Sequence, residues 1–166
     1  RGRCKPGAFA PAPGNEHAAI RTLLEPEIPM YRVRFHGRGG QGIKTASRIL
    51  GSAFFHEGFE VQDAPRYGAE RRGAPMTAYV RASRTPVRER SNIRAPDLIC
   101  VADTTLLHVP AAQVLSGRTG DTIFLFDTGE STETWRERLS IKGHVFALPE
   151  GPWARHAFAS TLLAAG

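Results

Sequence analysis

The residues with the clearest capacity for chemistry lie between Gly37 and Thr45, in HGRGGQGIKT. Gly37, Gly39 and Gly42 satisfy G-x-G-x-x-G, and Gly40 adds a fourth glycine. A turn of such residues has few Cβ atoms, so its backbone N–H groups can approach an anion closely. A helix opening near Gly42 would aim its amino-terminal dipole and free N–H groups at the same point. Lys44 and Thr45 in its first turn add a charge and a hydroxyl, and Arg38 can fork onto a phosphate. The expected chemistry is capture of a pyrophosphate rather than bond breaking.

Which pyrophosphate is left open by the spacing. A dinucleotide site wants an acid at the end of the second strand to hold a ribose, and Glu60 and Asp63 are near that place. A P-loop wants Lys directly after the last glycine, whereas here Ile43 precedes Lys44–Thr45, which argues against a standard ATPase. The alternatives are a tight β–α turn needed only for packing, or one buried against another subunit.

No catalytic constellation stands beside the turn. His36 precedes it alone, and His56, His108, His144 and His156 show no metal-ligand spacing. Cys4 and Cys100 form no C-x-x-C, so the chain alone is expected to ligate neither zinc nor an iron–sulfur cluster. The segment Arg66–Arg72 holds Tyr67, Glu70 and several arginines, in a ligand or interface role. The chain reads as a binding or assembly unit with no catalytic residue or metal of its own.

The elements that must position the turn follow from periodicity. Arg32–Phe35 alternates charged and apolar residues, as a strand near a sheet surface can. Ile43–Phe55 places Ile43, Ala46, Ser47, Leu50 and Phe54 on one helical stripe, and Gly58 fits its C-cap. Phe59–Gln62 reads as a strand, Asp63–Ala74 as a loop, Pro75–Ala82 as a strand and Ser83–Pro96 as an irregular connection. Leu98–Ala102 and Thr122–Phe126 are apolar runs expected in strands buried on both faces, each followed by an aspartate, Asp103 and Asp127. Thr104–Leu115 can hold a short helix broken by Pro110. Ser131–Leu139 reads as a helix, His144–Leu148 as a strand and Trp153–Ala165 as a last helix. Strands alternating with helices imply an α/β, three-layer, mainly parallel sheet with helices on both faces. The glycine turn, Asp103 and Asp127 then share the carboxyl edge, where such sheets bind ligands.

Composition sets the remaining bounds. The 166 residues, 41% of them apolar, suit one domain with an ordinary core. No apolar run is long enough to span a membrane, and nothing near the start resembles a signal peptide, so the expected location is the cytoplasm. The net charge is +6, carried almost wholly by arginine: only Lys5, Lys44 and Lys142 are lysines. That excess suits an anionic partner or reflects a solvated basic surface. Residues 1–29 are rich in proline, glycine and alanine and read as a tail or linker, with the folded unit starting near Met30.

Two stretches together, HGRGGQGIKTASRIL and DAPRYGAERRGAP, resemble the gamma subunit of the pyruvate (2-oxoacid):ferredoxin oxidoreductases, a unit also found as a fused domain in single-chain members. The likeness covers residues 30–166, and LICVAD and TIFLFDTG fit its later strands. It implies a Rossmann-like domain in a hetero-oligomer whose alpha, beta and delta-type subunits hold thiamine diphosphate, Mg2+ and iron–sulfur clusters. It implies oxidative decarboxylation of a 2-oxoacid with coenzyme A, giving acyl-CoA, carbon dioxide and reduced ferredoxin. The gamma unit would be a non-catalytic subunit that contributes coenzyme A binding and assembly, with neither nucleic acid nor membrane as partner. The ligand role carries over to Gly37, Arg38, Gly39, Gly40, Gln41 and Gly42, while Tyr67, Glu70 and Arg72 match the second motif. Family members also run on past residue 166 with further helix, and the tail 1–29 departs from their usual start. A stand-alone NAD(P)-binding oxidoreductase domain and a purely structural assembly module are the competing readings.

Overall fold

The computed structural model describes residues 30–66 and 73–148. Tyr67, Glu70, Arg72, the tail 1–29 and the expected helix Trp153–Ala165 lie outside the described residues.

Strand β1 (Met30–Arg38) runs into the glycine turn and helix α1 (Ile43–His56). Strands β2 (Glu60–Arg66) and β3 (Pro75–Ser83) follow, then β4 (Leu98–Val101), two 3-10 turns (Thr104–His108 and Pro110–Ala112), β5 (Ile123–Asp127), α2 (Thr132–Arg138) and β6 (Val145–Leu148). The sheet order is β2-β3-β1-β4-β5-β6. β4 pairs in parallel with β1 and β5, and β5 with β6. β3 is antiparallel to both β1 and β2, so it alone runs against the other five. The expected mainly parallel α/β sheet is thus present, with one reversed strand set into it.

The alternation in each strand sorts two cores. Val33, Phe35, Ala78, Val80, Cys100 and Leu125 face α1, whose Ile43 and Ala46 are buried against them. Ile99, Val101, Phe124 and Phe126 face the other way, toward Leu106, Ala112 and Trp135. Phe126 stacks on Trp135 at 5.1 Å between ring centroids. Ser131 caps α2 by accepting from the Thr134 N–H.

Three expectations change. β1 lies at the middle of the sheet, not near a surface, so its alternating Arg34 and His36 are buried, at 5% and 2% exposure. The segment from Asp63, expected as loop, continues β2 as far as Arg66, with Pro65 tolerated because β2 has only β3 as a partner among the described residues. The segment after Asp103 makes 3-10 turns rather than an α-helix, since Pro110 falls where the helix would continue.

Candidate functional site

The glycine turn joins the carboxyl end of β1 to the start of α1, on the edge where β4 and β5 also end. Gly37 is the last inward-facing residue of β1. A Cβ there would lie 2.4 Å from Ile43 Cδ1, so only glycine lets the first residue of α1 pack onto the strand. Gly42 adopts φ 75°, the left-handed conformation, as the residue before α1. No side chain caps the helix, and no acid stands in its first turn. Lys44 and Thr45 stand exposed in this first turn.

The turn is braced from three sides. The Gly39 N–H donates to the Ala74 carbonyl at 2.9 Å, and the Gly73 N–H donates back to the Gly39 carbonyl at 3.1 Å. The Arg38 N–H donates to Gln41 Oε1 at 2.6 Å, so Gln41 folds over its own turn. Arg38, expected to fork onto a phosphate, commits one N–H of each guanidinium nitrogen within the protein. Nε donates to Asp103 Oδ2 at 2.7 Å, one terminal nitrogen to the Gly73 carbonyl at 3.0 Å, and the other to Thr105 Oγ1 at 2.8 Å. Gln41 Nε2 reaches the same Asp103 oxygen at 3.3 Å.

Asp103 is the hub of this lattice. It follows β4 directly and caps the first 3-10 turn, accepting from the Thr105 N–H at 3.0 Å. Burial alone would raise its pKa, but the bonds from Thr105 and Arg38 and the Arg38 charge hold it below the ordinary carboxylate range. Its position after an apolar strand was legible in the sequence; its bond to Arg38 was not, because the two are 65 residues apart.

The acid expected to hold a ribose is elsewhere. Asp63 turns to the middle of α1 and accepts from Ser47 Oγ at 2.8 Å. Burial pushes its pKa up, against the Ser47 bond and the Arg48 and Lys44 charges. β3 also lies between β1 and β2, setting β2 two strand spacings, about 10 Å, from the turn. The residue that ends β2 on the turn's edge is Arg66, not an acid.

A second concave region lies on the sheet face away from α1. It is a cavity of about 490 Å³ whose floor is Arg34, His36, Thr77 and Tyr79. Nothing in the sequence pattern singled it out. The signal, in hindsight, is two basic residues in the register of a strand that is central. Among the described residues no group of three or more metal-ligating side chains occurs, and no helix is long and apolar enough to cross a membrane.

A glycine turn at the carboxyl edge of a mainly parallel sheet, followed directly by a helix, defines an α/β protein of Rossmann-like character. Comparison with known proteins narrows this. The family model described as pyruvate ferredoxin/flavodoxin oxidoreductase matches residues 32–162. The chain is 44% identical over 119 residues to the pyruvate/ketoisovalerate oxidoreductases common subunit gamma of Pyrococcus abyssi, covering 72% of this chain and 63% of that relative. It is 40% identical to pyruvate synthase subunit PorC of Methanosarcina barkeri over the same shares. Among solved structures, the pyruvate oxidoreductase subunit PORC of Thermotoga maritima superposes with a TM-score of 0.67 at 32% identity, covering 82% of this chain and 73% of that one. The chain belongs to the pyruvate ferredoxin/flavodoxin oxidoreductase family, as a gamma-type member, and spans a little under two thirds of the curated relatives it matches.

Proposed function

We propose that this chain is the coenzyme-A-handling, non-catalytic gamma unit of a 2-oxoacid:ferredoxin oxidoreductase. The observation that carries the reading is the uncapped start of α1, opening at Gly42 on the sheet's ligand edge with Lys44 and Thr45 exposed beside it. A pyrophosphate is the group such a site takes best. The ligand's further chemistry is indicated by the end of β2. That strand ends on Arg66 and not on the acid that an NAD reader uses for a ribose hydroxyl. Coenzyme A carries a pyrophosphate, and membership of the pyruvate ferredoxin/flavodoxin oxidoreductase family supports it.

The family supports the rest. Relatives described as a gamma subunit common to pyruvate and ketoisovalerate oxidoreductases serve more than one 2-oxoacid enzyme. A unit of that kind leaves choice of 2-oxoacid to other subunits. Partner chains of alpha, beta and delta type would then supply thiamine diphosphate, Mg2+ and the iron–sulfur clusters, and ferredoxin would take the electrons. Tyr67, Glu70 and Arg72, next to the bracing residues Gly73 and Ala74, would complete the ligand wall or meet a partner.

Calorimetry of the full chain with coenzyme A, NADH, NADPH and ATP tests the assignment. Coenzyme A should bind. Binding of NADH or NADPH with no response to coenzyme A overturns it in favour of a dinucleotide oxidoreductase domain. Silence toward all four, both alone and with co-expressed partner subunits, assigns a structural module instead.

A further inference from the structure

The cavity on the other face of the sheet has no part in the reading above, and its chemistry is one-sided. Its lining includes Arg34, Arg94 and His36 and, among the described residues, no carboxylate. Arg34 is buried, and its terminal nitrogens donate to three carbonyls: Ile93 at 3.3 Å, Val114 at 2.8 Å and Ser116 at 2.7 Å. Those bonds fix the guanidinium but leave its charge uncompensated, because carbonyl dipoles are not a counter-ion. The neighbouring buried arginine shows the contrast. Arg81, at 1% exposure on the same face of β3, has Glu89 within 3.5 Å.

Three buried side-chain polar atoms among the described residues have no hydrogen-bond partner: Arg81 Nε, which faces Glu89, and Arg34 Nε and His36 Nε2, whose residues line this cavity. The last two belong to alternate residues of β1 and so point to the same face. Arg34 Nε is a donor, and a neutral imidazole can present an N–H at Nε2. A buried polar group without a partner is costly, so two on one face of one strand call for an explanation. The Tyr79 and Thr77 hydroxyls stand on the adjacent strand, in register with Arg34 and His36. The volume falls within the range of small-molecule sites, and Ile93, Ala111 and Ala112 give it an apolar wall.

We propose that this cavity binds a small oxyanion-bearing molecule, a carboxylate or a phosphate, whose oxygen meets Arg34 Nε and His36 Nε2. The anion supplies the counter-charge that the Arg34 guanidinium lacks, and the unpartnered nitrogens supply the contacts. Arg34's terminal nitrogens are already committed, so the contact is made at one point rather than as a fork. The site is separate from the glycine turn, since β1 carries Gly37 toward α1 and His36 away from it.

The test uses the full chain in low-salt buffer. Sodium acetate, sodium pyruvate and sodium phosphate are titrated against sodium chloride at matched ionic strength. At least one oxyanion should shift the His36 imidazole nitrogen resonances saturably, and raise Tm by several degrees, where chloride does neither. Response to acetate and pyruvate alone assigns a carboxylate, and response to phosphate alone assigns a phosphate. His36→Phe should abolish the Tm shift given by acetate or pyruvate and reduce that given by phosphate, which the glycine turn would also take. No saturable response to any of the three overturns the proposal, as does an unchanged response in His36→Phe. If that variant does not fold, the His36 resonances of the unaltered chain decide.

Discussion

The Nε of Arg38 lies 2.7 Å from Oδ2 of Asp103, linking the end of β1 to the residue that follows β4. This bond makes the glycine turn a shared product of two strands rather than a local β–α connection. Asp103→Ala frees Arg38, Gln41 and Thr105 together. The pair is partly exposed, 31% and 14% by side chain, so the direct loss of stability should be about 1 kcal/mol. Coenzyme A affinity should fall by about tenfold, because the turn is no longer held in shape. Urea unfolding and calorimetry check the two effects. Unchanged coenzyme A binding with reduced stability would assign Asp103 to the fold alone.

Gly37→Ala should destabilise the chain by about 1–3 kcal/mol, because the new methyl meets Ile43 Cδ1 at 2.4 Å at a buried site. Adding Ile43→Val, which removes that methyl group, should restore part of the loss. A double-mutant cycle by chemical denaturation measures the coupling, and strict additivity would show that the contact is not the cause.

Lys44→Glu reverses a charge in the first turn of α1, where no acid stands now. Coenzyme A binding should weaken by about tenfold, and the loss should shrink with rising salt. The fold should be little affected, since Lys44 is exposed. Calorimetry at two ionic strengths reads this out.

These positions show what periodicity and spacing can reveal. The turn, α1, the apolar strands β4 and β5 and the aspartates behind them follow from local pattern, as does the cap at Ser131. The place of β1 does not. RVRFH has the alternation of a half-exposed strand, yet β3 and β4 flank it and both faces are covered. Burial of Arg34 depends on carbonyls 59 to 82 residues away, which no local window contains. Asp63 was a candidate ribose acid by spacing along the chain. The insertion of β3 between β1 and β2 removes that role, and strand order is a tertiary property. Arg38 suits a phosphate by residue type, and its engagement with Asp103 reflects a contact 65 residues on.

His36 makes stability pH-dependent. Burial, then the nearby Arg34 charge, lowers its pKa from 6.5 to about 3. The unfolded chain therefore binds the extra proton between these values and the folded chain does not. The contribution of His36 is complete above pH 6.5 and is lost as pH falls toward 3, by on the order of 4 kcal/mol at most. Asp103, with its lowered pKa, acts in the same direction below its ordinary value, whereas the raised pKa values of Asp63 and Asp97 oppose it. Urea unfolding from pH 7 to pH 4 should show falling stability, with a shallower slope in His36→Phe. An equal slope in both would remove His36 as the cause.

The strand order also bears on how the chain reaches its native state. Of the described elements β1 is made first, but it pairs with neither of the two that directly follow it. Its antiparallel neighbour pairs Met30 with Ser83, and its parallel neighbour pairs Val33 with Leu98. Arg34 waits still longer, for carbonyls at Val114 and Ser116. Long loops must close before any of these contacts contributes, so folding should be slow for a chain of this size. On the ribosome, β1 would emerge with Arg34 uncovered, and it would stay so until more than eighty further residues had followed. The glycine turn and the Arg34 cavity would then form together, in one late cooperative step.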